Sequence, residues 1–380
     1  MRSLLAGLAV STILFAGAAT PSAATSLVFA HGYPTTHPLS VTYDRFIAYV
    51  KENSDIELTV HPGGSLLSLT ETSPGLRDGV ADIGTVLTPY YLAEFPNSNL
   101  IANLSMLVTA GQPHKAPGAV MAGATMEYIF NCEDCQADYA RQNQVYIGSL
   151  STAGFDLLCR TPIRSVADVK GKRLRSAAAN FGRWAEHFGG IQVTVPANEI
   201  YEALSQGIVD CAMNSISELT GYQLHEVIRS ATFGFLGGVF AGVDPHNVNL
   251  EAWRGLSEEH RRILLEASAR GVAAATANYY AVAADNEKKA PSMGVEVIQA
   301  SEEMIAANNE FVQKDIAVIE RQFTQEYGVQ SADKKVERAR ALIDRWRALL
   351  ADWDGTEEGL LKTYKDEIFS KIDVSSYGMK

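Results

Sequence analysis

The sequence predicts an α/β fold of two domains, followed by a helical C-terminal region. The chain has 380 residues, of which 47% are hydrophobic and 20% are charged. This length is typical of two folded domains with sizeable cores. Strand and helix patterns alternate between residues 26 and 214, which indicates two α/β units with mostly parallel sheets. Helical spacing of apolar residues then continues to residue 370.

The first α/β unit begins close to residue 26. Short apolar or alternating segments predict strands, and apolar residues at helical spacing predict helices. The predicted order is strand, helix, strand, helix, strand, at 26–30, 43–50, 56–60, 71–78 and 79–86. A loop from Thr88 to Tyr91 follows the carboxyl end of the last strand.

The second unit repeats this alternation from residue 145. Strands are predicted at 145–149, 155–160, 173–176, 193–195 and 207–213. Helical segments are predicted at 166–170, 181–188 and 199–206. Longer helices are predicted at 256–287, 302–324, 334–351 and 356–370.

The same pattern predicts how the chain divides into lobes. The expected parts are lobe I at 25–151 and 240–280, lobe II at 152–239 and 281–330, and a helical extension on the outside at 331–380. Strands near residues 152 and 238 should cross between the lobes, and the helical region at 256–287 should span both of them.

Residues 1–24 have the pattern of a cleaved secretory signal peptide. Arg2 precedes an uncharged stretch from 4 to 19, and the small residues Ser22 and Ala24 occupy the positions before cleavage. The stretch is shorter than the roughly 20 apolar residues that a membrane span needs, and no later segment reaches that length. We therefore expect a mature protein in the periplasm or an equivalent compartment, not embedded in the membrane.

The balance of charge argues against one class of partner. The chain carries 32 Lys and Arg residues against 44 Asp and Glu residues, which gives a formal net charge of −12. Nucleic-acid binding requires clustered basic residues, so nucleic acid is not an expected partner.

Four cysteines, Cys132, Cys135, Cys159 and Cys211, allow three disulfide connectivities in an oxidising compartment. Cys132 and Cys135 form a CxxC motif in a predicted polar loop. Such a motif can be half of a zinc site or a redox-active dithiol. A structural zinc site needs four ligands, which no second motif supplies, and the acidic spacer disfavours a reactive thiolate. We expect a structural bridge or unreactive thiols, and no metal site.

The sequence carries no recognisable catalytic or cofactor-binding signature. It lacks HExxH, GxSxG, a phosphate-binding loop and a dinucleotide-binding glycine pattern. His31 and His37 flank a proline turn without a further ligand at metal-binding spacing, so we expect them on the surface or at a cleft rim. We expect a protein that is not an enzyme and needs no cofactor. A periplasmic enzyme or a sensor input domain on the same fold stays the alternative.

Candidate ligand-binding residues follow from the predicted strands. Ligands of open α/β sheets bind at the carboxyl ends of strands. Arg175 ends one predicted strand, Asn214 follows another, and Thr88 and Tyr90 follow a third. A cleft between the two lobes would bring these residues together.

Two long motifs lie in the second unit. Residues 168–175 read Asp-Val-Lys-Gly-Lys-Arg-Leu-Arg, and residues 199–214 read Glu-Ile-Tyr-Glu-Ala-Leu-Ser-Gln-Gly-Ile-Val-Asp-Cys-Ala-Met-Asn. Shorter motifs occur at 29–32, 37–39, 76–83, 94–96 and 248–256. In this order the motifs resemble the DctP-type solute-binding proteins of TRAP transporters, the tripartite ATP-independent periplasmic transporters. The resemblance covers residues 26–325.

The resemblance implies a two-domain periplasmic binding protein of class II-like fold, with hinge strands between its lobes. It implies a receptor that closes over a small organic anion and delivers it to the integral membrane subunits of a TRAP permease. The anion would be a C4-dicarboxylate-like ligand or another monocarboxylate or hydroxy acid. Arg175 matches the family arginine that binds the ligand carboxylate, and Asn214 matches the polar residue beside it. A guanidinium pairs bidentately with a carboxylate, and this pair is stronger in a closed cleft than in water.

Three positions depart from the family pattern. Phe155 stands where several members carry a second arginine, Leu87 stands where they carry an acidic or polar residue, and Cys211 replaces a glycine. The loss of the second arginine disfavours a multiply anchored, sialic-acid-like ligand.

Aromatic residues near the expected cleft predict a partly apolar pocket. Of Phe155, Phe181, Trp184, Tyr90 and Tyr91, about two should line a mostly apolar small-ligand site. From the opposite lobe, His31, Thr88 or Tyr90 should meet Arg175 and Asn214.

Overall fold

The computed structural model describes residues 25–111 and 114–379, which form two separate six-stranded sheets. The predicted signal peptide at 1–24 lies outside these residues. Two sheets, rather than one continuous sheet, agree with the two-domain organisation that the sequence predicts.

The strands, numbered along the chain, alternate with helices in the first two thirds of the protein. They are β1 (Ser26–Ala30), β2 (Glu57–His61), β3 (Ile83–Leu87), β4 (Gln144–Val145), β5 (Leu150–Ser151), β6 (Phe155–Cys159), β7 (Arg173–Ser176), β8 (Ile191–Thr194), β9 (Cys211–Ser215), β10 (Ser230–Phe233), β11 (Ala241–Asn249) and β12 (Glu296–Gln299).

The α-helices cover both sheets and form the C-terminal region. They are α1 (Val41–Asn53), α2 (Thr72–Arg77), α3 (Pro96–Asn103), α4 (Pro117–Phe130), α5 (Glu133–Arg141), α6 (Ala179–His187), α7 (Ile200–Ser205), α8 (Glu218–Gly221), α9 (Leu250–Gly255), α10 (Glu258–Lys289), α11 (Glu302–Gln325), α12 (Ala332–Leu349) and α13 (Glu357–Glu367).

Both sheets are mixed, whereas the sequence predicted mostly parallel sheets. The first has the order β2-β1-β3-β11-β4, with β5 beside β11, and the second has the order β12-β10-β6-β9-β7-β8. In the first sheet β11 runs antiparallel to its neighbours, and in the second β6 does so. These two strands follow the connections between the sheets, so each enters its sheet against the direction of the βαβ units.

Some predicted elements are shorter or shifted. The strand expected at 145–149 is two short strands, because Gly148 between them adopts a φ of 139° that extended pairing does not accommodate. The strand expected at 79–86 begins only at residue 83, since Gly79 forms a turn with a φ of 72°. Helices α3, α4 and α5, in a region left unassigned by the pattern, cover the first sheet.

Two chain segments connect the sheets side by side. The amide of Thr152 donates to the carbonyl of Phe240 at 3.0 Å, and the amide of Phe155 donates to the carbonyl of Gly238 at 2.9 Å. They lie where crossing strands were expected. A paired, two-segment connection lets two rigid bodies rotate while their backbone hydrogen bonds are retained.

The long helix α10 contacts both sheets. Near its middle, Asn278 donates from Nδ2 to the carbonyl of Pro38 at 2.8 Å, and near its end Asn286 donates to the carbonyls of Ile216 and Ser217 at 3.0 Å. Glycine at position 271 permits the close approach to α1, since a Cβ there would lie 2.6 Å from the carbonyl oxygen of Thr42.

The C-terminal extension packs on the helices that cover the first sheet. Trp346 of α12 is fully buried, and its indole donates to Glu127 of α4 at 2.7 Å. Tyr364 of α13 donates to the carbonyl of Ala119, also in α4, at 3.0 Å. The side chains of the extension belong to the hydrophobic core of that half of the molecule.

The four cysteines form two disulfides. Cys132 pairs with Cys135 at the start of α5, and Cys159 of β6 pairs with Cys211 directly opposite on β9. The CxxC motif therefore opens a helix, where the sequence predicted a polar loop. Cys211 replaces the family glycine, and its disulfide to Cys159 on the neighbouring strand explains the cysteine at this position.

A buried carboxyl on β11 gives the fold a pH dependence. Asp244 is fully buried and accepts a hydrogen bond from Tyr139 Oη at 2.7 Å, and its burial raises its pKa to about 8. The unfolded chain releases this proton near pH 4, so the native state holds the extra proton between pH 4 and pH 8. Stability that depends on Asp244 is present at low pH and is lost as the pH rises through this window.

We expect the Asp244→Asn substitution to remove this dependence. Between pH 6.5 and pH 8 the free energy of unfolding of the parent should fall by about 1–2 kcal/mol relative to the variant, since one proton contributes about 1.4 kcal/mol per pH unit. Burial lowers the pKa of His31 to about 4, so its opposing contribution is confined to pH values below 6.5. Urea unfolding at pH 6.5, 7.25 and 8 measures the difference. If the free energy of unfolding changes with pH equally in the parent and the variant, the titrating group is not Asp244.

Candidate functional site

A cavity with about 310 Å³ of empty space, part of it open to solvent, lies between the two sheets. Strand ends from both sheets, one end of α8 and the middle of α10 contribute to its wall. The lining residues are Tyr33, His37, Leu87, Tyr90, Thr152, Phe155, Arg175, Ala177, Ala197, Asn214, Glu218, Tyr222, Phe240 and Tyr279.

Arg175 is the cationic residue of this wall. It lies near the carboxyl end of β7 and is 1% exposed. Its Nε donates to the carbonyl of Val195 at 2.9 Å, which fixes the side chain, while its buried Nη2 has no hydrogen-bond partner among the described residues. Buried guanidinium groups normally use all their donors, so the free Nη2 is available to an anionic group in the cavity.

Asn214 lies beside Arg175 because their strands are parallel neighbours. β7 pairs with β9, with Arg175 opposite Ala212, so both carboxyl ends reach the same edge of the second sheet. Asn214 Oδ1 accepts from the amide of Ser215 at 2.9 Å. In the described part of the chain its Nδ2 makes no hydrogen bond, which leaves a second donor at the cavity.

Glu218 and His37 form a buried acidic side of the cavity. Glu218, the first residue of α8, is 2% exposed, and its Oε2 lies 3.0 Å from His37 Nε2. The contact lacks hydrogen-bond geometry, since neither atom has a hydrogen-bond partner within the described residues. His37 Nδ1 accepts from the amide of Leu39 at 3.1 Å. An imidazole whose Nδ1 is an acceptor carries its proton on Nε2 and is neutral.

Aromatic rings complete the wall. Tyr33, Tyr90, Tyr222 and Tyr279 present phenol groups together with the rings of Phe155 and Phe240. The buried hydroxyl of Tyr222 has no hydrogen-bond partner among the described residues. The cavity is therefore apolar over much of its surface, with a few polar groups that can orient a ligand.

One hydrogen bond at the cavity connects the two halves of the molecule. The hydroxyl of Tyr90, at the end of β3 in the first sheet, accepts from the amide of Ala197 at 3.0 Å, and Ala197 follows β8 of the second sheet. Both residues line the cavity, so this bond joins its two sides.

The structure brings four of the eight sequence-predicted ligand residues to the cavity: Arg175, Asn214, Tyr90 and Phe155. Two of the five aromatic candidates, Tyr90 and Phe155, are among them, and Tyr91 is not.

The other four predicted residues lie outside the cavity wall. His31 stacks on Tyr43 at 3.8 Å between ring centroids, inside the first core. Thr88 donates to the carbonyl of Gly242 at 3.3 Å, and a Cβ at Gly242 would lie 2.4 Å from the Thr88 hydroxyl oxygen. The side chain of Thr88 thus faces β11 rather than the ligand space.

Phe181 and Trp184 lie behind the wall. Phe181 stacks against Phe155 at 4.9 Å, so it supports the ring that lines the cavity. Trp184 donates from Nε1 to Asn308 at 2.9 Å, and this bond directs its ring toward α11. Both positions follow from α6, whose buried face packs under β6 rather than beside the ligand.

Sequence reasoning missed Glu218, Tyr222, Tyr33 and Tyr279, and placed His37 on the surface or at a rim. His37 is 2% exposed and lines the cavity. The one available signal was spacing, because Glu218 and Tyr222 are four residues apart just after the strand that ends near Asn214. Tyr33 and Tyr279 carry no such signal.

The described residues also show no metal site and no membrane-spanning helix. They contain no group of three or more His, Cys, Asp or Glu side chains that could hold a metal ion. No helix among them is long and apolar enough to cross a membrane.

Comparison with known proteins gives a consistent result. A family model described as bacterial extracellular solute-binding protein, family 7 (DctP) matches residues 29–322. A protein of Albidiferax ferrireducens named solute-binding protein is 24% identical over 276 residues, which cover 70% of this chain and 77% of that protein.

Solved structures of similar fold include two solute-binding proteins. The periplasmic ectoine-binding protein of a TRAP transporter of Halomonas elongata has a TM-score of 0.70 at 20% identity, over 84% of this chain and 99% of that one. A marine metagenome TRAP solute-binding protein specific for pyroglutamate has a TM-score of 0.66 at 22% identity, over 86% and 99% of the two chains. These likenesses confirm the two-domain α/β fold predicted from the sequence.

The family model covers more than half of the chain, and it agrees with the ordered motifs at 168–175 and 199–214. The protein therefore belongs to family 7 of the bacterial extracellular solute-binding proteins, the DctP family that its sequence motifs resemble.

Proposed function

We propose that this protein is a periplasmic receptor that binds a small organic carboxylate between its two lobes and delivers it to a TRAP membrane permease. The observation that carries the proposal is the buried Arg175 Nη2, which lines the cavity without a hydrogen-bond partner in the described residues. A carboxylate placed there gains charge-assisted hydrogen bonds in a site that excludes water. Similar proteins of the family fold are named for pyroglutamate and ectoine, both small organic solutes.

The proposed location follows from the N-terminus and the family. Residues 1–24 have the composition of a cleaved signal peptide, and the family is described as extracellular. A receptor released into the periplasm finds its permease by diffusion. The resemblance to TRAP systems implies that the proposed partner is an integral membrane pair rather than an ATPase.

The proposed lobes are lobe I at 25–151 and 240–280, and lobe II at 152–239 and 281–330. Contacts between them support closure around a ligand. Tyr90 accepts from Ala197, and Asn180 donates to Ser105 Oγ at 3.1 Å, each across the proposed boundary. Binding drives closure only if some ligand contacts form in the closed state alone, because a ligand that binds both states equally shifts nothing.

Calorimetry with a panel of C2 to C6 monocarboxylates, hydroxy acids and C4-dicarboxylates tests the proposed ligand class. We expect one or more of these acids to bind, and X-ray scattering to record compaction when that acid saturates the protein. Absence of binding across the panel would exclude these purely anionic acids as ligands, and binding without compaction would refute the closure mechanism.

A conservative substitution tests the hydrogen bond between Tyr90 and Ala197. Tyr90→Phe removes the acceptor for the Ala197 amide and keeps the ring, so we expect affinity for the acid identified above to fall about 2- to 10-fold, the range for one hydrogen bond. Tyr201→Phe is the matched control, because it removes an exposed hydrogen bond to Glu226 away from the cavity and should leave the Kd unchanged. Equal Kd values for both variants and the parent would show that the Tyr90 bond does not contribute to closure.

A further inference from the structure

Two opposite charges line the ligand cavity without pairing with each other. Arg175 is 1% exposed and Glu218 is 2% exposed. Within the described residues, Arg175 lies within 4.0 Å of no carboxylate oxygen, so it forms an ion pair neither with Glu218 nor with any other residue. Each charge is therefore buried without a full counter-charge, which is unfavourable in the absence of a ligand.

His37 does not neutralise Glu218. Its Nδ1 accepts the Leu39 amide at 3.1 Å, so the ring is the neutral tautomer with its proton on Nε2, 3.0 Å from Glu218 Oε2. Ser217 Oγ donates to the other oxygen, Glu218 Oε1, at 3.2 Å. Both neighbours contribute dipoles but no positive charge. Oε2 remains without a well-formed hydrogen bond in this part of the structure.

Tyr33 lines the cavity together with both charged residues. Burial raises the pKa of its hydroxyl well above the ordinary value, neighbouring Tyr90 and Tyr43 raise it further, Glu218 also raises it and Arg175 lowers it. Both charged groups line the same small cavity, and both are close enough to the Tyr33 hydroxyl to affect its pKa. A molecule that reaches one of them lies within the field of the other.

The faces near Glu218 suit a cationic group. Tyr33, Tyr222 and Tyr279 line the cavity together with Glu218 and His37, and the ring centroids of Tyr33 and Tyr222 lie 4.6 and 4.7 Å from that of His37. Electron-rich phenol faces attract ammonium groups, and a buried carboxylate adds its full charge. The unpaired Tyr222 hydroxyl supplies a further acceptor.

From these observations we infer that the ligand is a small zwitterion, of the amino acid or betaine class, whose carboxylate pairs with Arg175 and whose ammonium group lies against Glu218 and the tyrosine faces. The inference rests on the proposed function and narrows its ligand class. A zwitterion compensates both buried charges at once, whereas a simple carboxylate would leave Glu218 unpaired. A dicarboxylate would bring a second negative charge to the acidic side.

Matched pairs of probes test the cationic subsite. Glycine betaine and 3,3-dimethylbutanoate have the same shape and differ in one positive charge, and L-proline and cyclopentanecarboxylate differ in the same way. The series extends to β- and γ-amino acids and betaines of up to seven carbons, each beside the carboxylate isostere that lacks the positive charge. Calorimetry on the full mature chain should give at least one pair in which the zwitterion binds 10-fold or more tightly than its isostere.

The Glu218→Gln variant shows whether Glu218 causes this preference. It keeps the shape and removes the charge, so the preference within that pair should shrink to 3-fold or less, while the isostere binds as in the parent. A purely structural role would weaken both members equally. Glu202→Gln, an exposed acidic position on α7, is the control and should keep the preference.

The outcomes separate the two proposals. If carboxylates bind but no zwitterion exceeds its isostere, or if Glu218→Gln keeps the preference, the zwitterion inference is overturned and the carboxylate receptor stands. If neither the acids nor the zwitterions bind, the proposed function fails and the inference fails with it.

Discussion

Replacing Arg175 with alanine should weaken ligand binding by about 3–5 kcal/mol, or roughly 100- to several thousand-fold in Kd, because the partner charge then stays buried without compensation. The side chain is fixed by its bond to the Val195 carbonyl and has one free donor in the cavity. Calorimetry with the acid or zwitterion that binds the parent most tightly measures the loss.

Arg175→Lys should lose most of the same affinity. An ammonium group keeps the charge but does not reproduce the planar fork that donates to Val195 and to a carboxylate at the same time. Arg173→Ala is the matched control on the same strand. Arg173 pairs with Asp210 at the surface, 2.7 Å away, so its removal should leave the Kd unchanged. Parent-like binding by both Arg175 variants would remove this residue from the site.

Replacing Trp346 with alanine should destabilise the protein by about 3–5 kcal/mol, the range for a large aromatic side chain deleted from a core. Its ring is fully buried and lies over Gly123 of α4, where a Cβ would come within 2.3 Å of the indole. Urea unfolding measures the change in the free energy of unfolding. Leu349→Ala, on the same helix but 38% exposed, should change stability by less than about 1 kcal/mol.

A double-mutant cycle tests the contact itself. Gly123→Ala should destabilise the parent, because the new methyl group collides with the indole. In the Trp346→Ala background the same change should be neutral or stabilising by up to about 1 kcal/mol, the helix preference for alanine over glycine. Additive effects, or a loss below about 1 kcal/mol for Trp346→Ala, would show that the C-terminal extension is not part of the first core.

The local pattern of the sequence was sufficient for several results. The alternation of strands and helices predicted two α/β units, and the motifs at 168–175 and 199–214 indicated the family that the comparison confirms. Arg175 and Asn214 were placed at one sheet edge because the carboxyl ends of neighbouring parallel strands always meet there. Such features depend on residues that are close in sequence, so they can be predicted from the amino-acid sequence without the structure.

Other features required the tertiary structure. The antiparallel entry of β6 and β11 depends on how the chain crosses twice between the sheets, which no periodicity records. The same holds for the side chains behind the cavity wall. Phe181 and Phe155 are both apolar and near the expected cleft, yet only the packing of α6 under β6 decides which ring faces the ligand.

The acidic side of the cavity is the clearest case. Glu218, His37 and Tyr279 are separated by up to 242 positions, and each is an unremarkable residue in its own segment. Closure of the two sheets and the passage of α10 along both of them bring the three together. The sequence by itself therefore determined the fold class, the family and the residues proposed to bind an anion, since these follow from local periodicity and motif. Only the tertiary structure decided which acidic and aromatic groups share the cavity with that anion, because the cavity wall is assembled from segments whose proximity depends on the packing of the whole chain.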